Sequence, residues 1–329
     1  MISFTGLVDV ASARLGGQVL LANDEFFAPK ENLLKPSKPE WREDEYTDRG
    51  KWMDGWETRR RRTPGHDWCL IRLALPAVVR GVVVDTSFFR GNYPEQCSLE
   101  ACAADPDSDA DALAATGVEW SEILPRAPLR GDAENPLPIT HDARVTHLRL
   151  NIYPDGGVAR LRVYGEPAPA VGLGPGSEAD LAALENGGLV VGCSDMFFGN
   201  RHHLIYPGRS THMGDGWETR RRRGPGHDWI LVRLAARGVI GRIEVDTDHF
   251  KGNAPESCSL EICDAAGVAP ERLAADAVRW SALLPRTPLE PDARYAVEVS
   301  SAGPATHARL AIYPDGGIAR LRLFGRVTG

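Results

Sequence analysis

Short runs in which apolar side chains predominate recur along the chain, and each ends in Gly, Pro, Asn or Asp. In the first half they cover residues 68–73, 78–85, 98–102, 146–152 and 159–164. Runs of five to eight residues rich in Val, Ile and Leu and bounded by turn formers read as β-strands, and no longer helical period accompanies them. The pattern predicts an all-β, antiparallel sandwich. Helix is expected only at 177–185, where Ser177 precedes an acidic and apolar stretch as an N-cap would. Tyr153-Pro154-Asp155-Gly156-Gly157, between two of the runs, reads as a hairpin turn.

The second half repeats this pattern at 229–234, 239–246, 308–312 and 319–324. Asp54-Gly55-Trp56-Glu57-Thr58, the arginines 59–62 and Pro64-Gly65-His66-Asp67-Trp68 return as 215–219, 220–223 and 225–229, an offset of 161. By Tyr153-Pro154-Asp155 and Tyr313-Pro314-Asp315 the offset is 160. Copies of this size are domains, not units of a solenoid. We read a first domain over 1–168, a linker over 169–176 marked by Pro169, Gly172, Gly174, Pro175 and Gly176, and a second domain over 177–329. Before the repeated box the offset is 171, as in Asp24 and Asp195, so the first copy carries ten extra residues somewhere in 35–51. Their polarity predicts a surface loop or lid.

Composition narrows the function classes. The 38 Lys and Arg against 45 Asp and Glu give a net charge of -7, which argues against general attraction to nucleic acid or anionic lipid. No apolar run approaches the roughly 20 residues of a membrane span, and residues 1–10 lack a basic lead into an apolar segment; a cytoplasmic protein is expected. The repeated pairs Cys97/Cys102 and Cys258/Cys263, with the unmatched Cys69 and Cys193, read as small buried hydrophobes rather than zinc ligands or disulfides. Phosphate-binding loops, dinucleotide glycine patterns, His-Glu-x-x-His and Gly-x-Ser-x-Gly are absent from the sequence.

The chemistry therefore concentrates in the repeated box. Four consecutive arginines in a net-acidic chain call for an anionic partner. If extended, their side chains alternate, so Arg59 and Arg61 share one face, and Arg220 and Arg222 likewise. A guanidinium fork suits a carboxylate. Glu57 and Glu218 supply an acid or base, and His66-Asp67 and His227-Asp228 follow within a few residues. Asn92 and Asn253 in Gly-Asn turns, and Arg160 and Arg320 beside the Pro-Asp-Gly-Gly turn, are further candidate ligand contacts. Asp248-His249 replaces Ser87-Phe88, giving the second copy an additional acid-base pair and, on this reading, the larger share of catalysis. Nothing in the pattern requires a cofactor, although the His/Asp pairs admit a divalent metal.

These motifs, together with Gly-Asn-x-Pro-Glu and Ile-Tyr-Pro-Asp-Gly-Gly-x-Ala-Arg-Leu-Arg in both copies, resemble the two repeats of the allantoicase family over nearly the whole chain. The resemblance implies two tandem jelly-roll sandwiches similar to galactose-binding and discoidin modules. It also implies hydrolysis of allantoate to ureidoglycolate and urea in purine breakdown, and a homo-oligomer. The competing expectations are a noncatalytic discoidin-like binding protein and a ureidoglycolate lyase.

Overall fold

One strand organises each repeat, and it is longer than any apolar run suggests. The computed structural model describes residues 4–115, 117–169, 172–275, 277–300 and 303–329. It divides into two compact units, Met1–Ala168 and Pro169–Gly329. The strands of the first are β1 (Val8–Asp9), β2 (Gln18–Ala22), β3 (Tyr46–Thr47), β4 (Gly50–Lys51), β5 (Trp56–Glu57), β6 (Asp67–Asp85), β7 (Gln96–Cys102), β8 (Ser121–Pro128), β9 (Glu134–Pro138), β10 (Val145–Tyr153), β11 (Gly157–Val158) and β12 (Arg160–Pro167). The 19-residue β6 joins the expected strands 68–73 and 78–85 into one. Its first half pairs with β10 (Leu148↔Ile71) and β2 (Gln18↔Arg72), and its second half with β12 (Arg162↔Val83) and β9 (Leu137↔Val82).

Ladder bonding continues around the bend, where Ala74 N donates to Val10 O (2.8 Å) and Ala77 lies opposite both Val145 and Pro167. A strand that bends from one layer into the other keeps its hydrogen bonds while its burial phase slips, which is why it reads in sequence as two runs. The second repeat does the same with Asp228–Asp246. The result is the all-β sandwich that the periodicity predicts.

Two local expectations are corrected. Residues 177–185 are not helical: Glu178–Asp180 is an edge strand pairing with Arg320–Val327, and Leu184–Asn186 is a 3-10 turn. The Asp180 carboxylate accepts from Leu323 N (2.8 Å) and Ala182 N (3.0 Å), and these tertiary bonds override the local helix preference. Nor does Tyr153-Pro154-Asp155-Gly156-Gly157 close a hairpin. It leads into β11, which pairs with β5 far upstream (Gly157↔Glu57), because both flanking strands already have β6 as partner.

The six cysteines are free thiols, and all but Cys193 are buried. Burial pushes Cys97 and Cys258 up to about 12, so they pack as apolar groups.

Buried His147 and His307 make stability pH-dependent. His147 shares a hydrogen bond with Thr146 Oγ1 (2.9 Å) through Nδ1, while its buried Nε2 has no partner. Desolvation, then the nearby Arg72, lowers its pKa; desolvation, then Arg233, does so for His307. A depressed folded pKa means that this stability is full above the unfolded value of about 6.5 and is lost as pH falls below it. The urea midpoint should therefore drop between pH 7 and pH 5, and drop less in the double variant His147→Gln/His307→Gln. Equal declines would show that these imidazoles do not titrate on unfolding.

Candidate functional site

The repeated box is pinned at both ends of a two-residue strand, and this fixes where Glu57 points. Trp56 is fully buried and its Nε1 donates to Asp24 O (2.8 Å). On the other side the buried Thr58 Oγ1 accepts from Gly156 N (3.1 Å). Alternation then turns Glu57 away from the core. Across the ladder Gly157 faces Glu57, and only a glycine fits there, since a Cβ would lie 2.0 Å from the Phe89 ring. Glu57 opens into a recess of about 590 Å³ lined by Arg60, Arg62, Asn92, Tyr93 and Asp155 among others. Asn92 Nδ2 donates to Glu57 Oε1 (2.7 Å). Burial raises the Glu57 carboxyl above the usual carboxylate range, and the Asn92 bond offsets part of that rise.

The four arginines divide by alternation. Arg59 turns to Asp24, donating from Nε to Oδ2 (2.6 Å), and its guanidinium lies over Phe26. Arg61 donates from its backbone N to Asp155 Oδ2 (2.8 Å) and from Nη1 to the buried Asp67 Oδ1 (2.6 Å). Asp67 also accepts from Asn23 Nδ2 (2.9 Å). Arg60 and Arg62 are exposed and have no ion-pair partner among the described residues, yet both line the recess. Glu57 thus shares its recess with Arg60, Arg61 and Arg62, while Arg59 is committed elsewhere.

The remaining candidates lie around this centre. His66 stacks against Tyr153 (4.8 Å between centroids) and is not among the lining side chains. Arg160 is buried beneath the box, donating from Nη2 to Asp54 Oδ2 (2.5 Å), from Nη1 to Asp54 O (2.8 Å) and from Nε to Ser37 O (3.0 Å). It frames the site and does not reach the recess.

The second repeat copies the arrangement. Glu218 faces Gly317 and accepts from Asn253 Nδ2 (2.6 Å). Arg220 pairs with Asp195 (3.0 Å), Arg222 with the buried Asp228, and His227 stacks on Tyr313 (4.9 Å). Arg320 donates to Asp215 O (2.5 Å) and Asp215 Oδ2 (3.1 Å). The ring of His249 meets Ser210 O (3.2 Å), and its neighbour Asp248 is paired with Arg209 (2.5 Å).

Sequence reasoning did not single out Arg60, Arg62, Tyr93 or Asp155. For the arginines, alternation separates Arg60 and Arg62 from Arg59 and Arg61 but gives no sign of which pair the distant acids hold. Tyr93 carried no signal, because the second copy has Ala254 in its place. Among the described residues, no three His, Cys, Asp or Glu side chains gather as metal donors would.

A family profile described as "Allantoicase repeat" matches residues 8–168 and again 179–328. The chain is 49% identical to a protein named probable allantoicase from Pseudomonas aeruginosa, over 98% of this chain and 96% of that one. It is 51% identical to the Nocardia farcinica protein of the same name, over 99% and 96%. The crystal structure of allantoicase from Saccharomyces cerevisiae superposes with a TM-score of 0.79 at 34% identity, covering 97% of this chain and 92% of that one.

Proposed function

Because the chain belongs to the allantoicase family, we propose that it hydrolyses allantoate to ureidoglycolate and urea in purine degradation, using the recess at Glu57. The observation that carries the site assignment is a desolvated carboxyl, oriented by Asn92, that faces two arginines without anionic partners. Allantoate presents a carboxylate and two planar ureido groups on one carbon. Arg60 and Arg62 take the carboxylate by charge-assisted hydrogen bonds. Protonated Glu57 gives its proton to the departing ureido nitrogen as the lone pair of the other ureido nitrogen forms a C=N bond, and urea leaves. Water then adds to that carbon and returns a proton to the Glu57 carboxylate, which yields ureidoglycolate. The buried Asp67 holds Arg61, and through it the loop carrying Arg60 and Arg62.

Product analysis with both ureides tests this reading. Urea from allantoate supports it; urea and glyoxylate from ureidoglycolate alone would make the protein a lyase, and binding without turnover would make it a binding module. The steps use protein groups only, so a chelator should leave the rate unchanged. Arg60→Ala and Arg62→Ala should each lower kcat/KM about 10- to 100-fold, the worth of a hydrogen bond to a charged group. Losses confined to Arg59→Ala would place the clamp on the other face. We also read the protein as cytoplasmic and as a homo-oligomer, the assembly being supported by the exposed apolar side chains of Met196, Phe197, Phe198 and Met213; sedimentation as a monomer at micromolar concentration would refute it.

A further inference from the structure

Equivalent hydrogen bonds locate the ten extra residues. Glu40 N donates to Asp54 Oδ2 (3.0 Å) as Thr211 N does to Asp215 Oδ2 (3.0 Å), and at Lys51 and His212 the offset is already 161. The insert is therefore 41–50, and it packs on Phe26 and Phe27 at the edge of the first recess. Arg49 Nη1 donates to Phe26 O (2.9 Å) and its guanidinium lies 5.0 Å over the Phe26 ring. Gly50 packs near Phe27, a wall residue of the recess, and Trp41 stacks on Phe88 (5.7 Å). Phe26 and Phe27 are accordingly 38% and 36% exposed, whereas Phe197 and Phe198 are each 62% exposed.

A second difference is independent of the insert. Tyr93 lines the first recess and packs where a Cβ on Gly131 would come within 2.4 Å of its ring. The second repeat has Ala254 for Tyr93 and Pro291 for Gly131, so both the ring and the slot that receives it are missing there. There Met213 Sδ sits 3.3 Å from Asn253 Nδ2, the amide that also holds Glu218.

We propose that bond cleavage is confined to the first repeat, whose recess Tyr93 lines and whose wall residue Phe27 the insert packs against, and that the Glu218 position is a structural copy without turnover. The inference rests on the allantoate reading above. The ring of Tyr93 supplies a flat wall for a planar ureido group, which the second repeat cannot offer. Asp248-His249 does not compensate, since Asp248 is held by Arg209 and the His249 ring lies against a backbone carbonyl.

The test is urea release from allantoate by the full-length chain and four variants, with circular dichroism to establish folding. Glu57→Gln should lower kcat by about 10² to 10⁴, the usual worth of a positioned acid or base, and Glu218→Gln should stay within about threefold of the unsubstituted chain. Tyr93→Ala should raise KM about tenfold, while Tyr93→Phe, which keeps the ring, should restore it. If Glu218→Gln loses as much as Glu57→Gln, confinement to the first repeat is wrong while the substrate stands. If the unsubstituted chain releases no urea, the substrate reading falls and this inference with it.

Discussion

Arg160→Ala is expected to destabilise the first repeat by about 3 to 5 kcal/mol, the usual cost of breaking a buried ion pair by removing one partner. The guanidinium is 1% exposed and Asp54 is 5% exposed, so truncation removes the buried partner of a carboxylate that keeps Lys35 Nζ (3.1 Å) and Glu40 N (3.0 Å). Although burial opposes its charge, hydrogen bonds from Arg160 and Lys35 hold the Asp54 carboxyl below its usual pKa. That contribution is present above the ordinary carboxylate value and is lost as pH falls through the lowered one. Urea denaturation measures the loss. Arg160→Lys should recover only part of it, because an ammonium cannot reproduce the fork that also serves Ser37 O and Asp54 O. A loss under about 1 kcal/mol for Arg160→Ala would remove the pair from the frame of the site.

Gly157→Ala is expected to cost about 1 to 3 kcal/mol by overpacking, and it reaches the chemistry as well. The new methyl group meets Cδ1 and Cε1 of a fully buried Phe89 at 2.0 Å, so the β5–β11 clip must shift. Glu57 lies directly across that clip, and a displacement of about 1 Å in a catalytic group costs on the order of 10² in rate. Gly317→Ala creates the same clash with Phe250, at 1.9 Å. It should therefore lower stability similarly while leaving kcat near that of the unsubstituted chain. A Gly157→Ala variant that stays folded at full activity would show that the clip does not set the Glu57 position.

The duplication, the β class and the identity of the box were legible in the sequence because each rests on local pattern. Strand periodicity survives in β7, β10 and β12, where the expected and observed spans differ by a few residues at their ends. What escaped depends on contacts distant in the chain. A helix was expected at 177–185 because Asp180 gives no local sign that it will bond Leu323. The surroundings of the arginines are not legible for a related reason: alternation separates them into two pairs, but only Asp24, Asp67 and Asp155 decide which pair is held. Nor does the position of Arg160 beside a turn reveal that Asp54, far upstream, draws it inward.

Arg162 and Arg322 grip their loops by main-chain oxygens, through Lys35 O (2.5 Å) and Tyr206 O (2.6 Å), as Arg160 and Arg320 do through Ser37 O (3.0 Å) and Gly208 O (3.1 Å). Every residue type carries such an oxygen, so the attachment is indifferent to the identity of the side chains it holds. A duplicated gene with this fastening is free to rewrite, lengthen or exchange the segment beyond it in one copy alone, because the grip does not have to be rediscovered after each change. The same property marks 41–50 as a place where foreign sequence can be grafted and selected for other planar, anionic substrates.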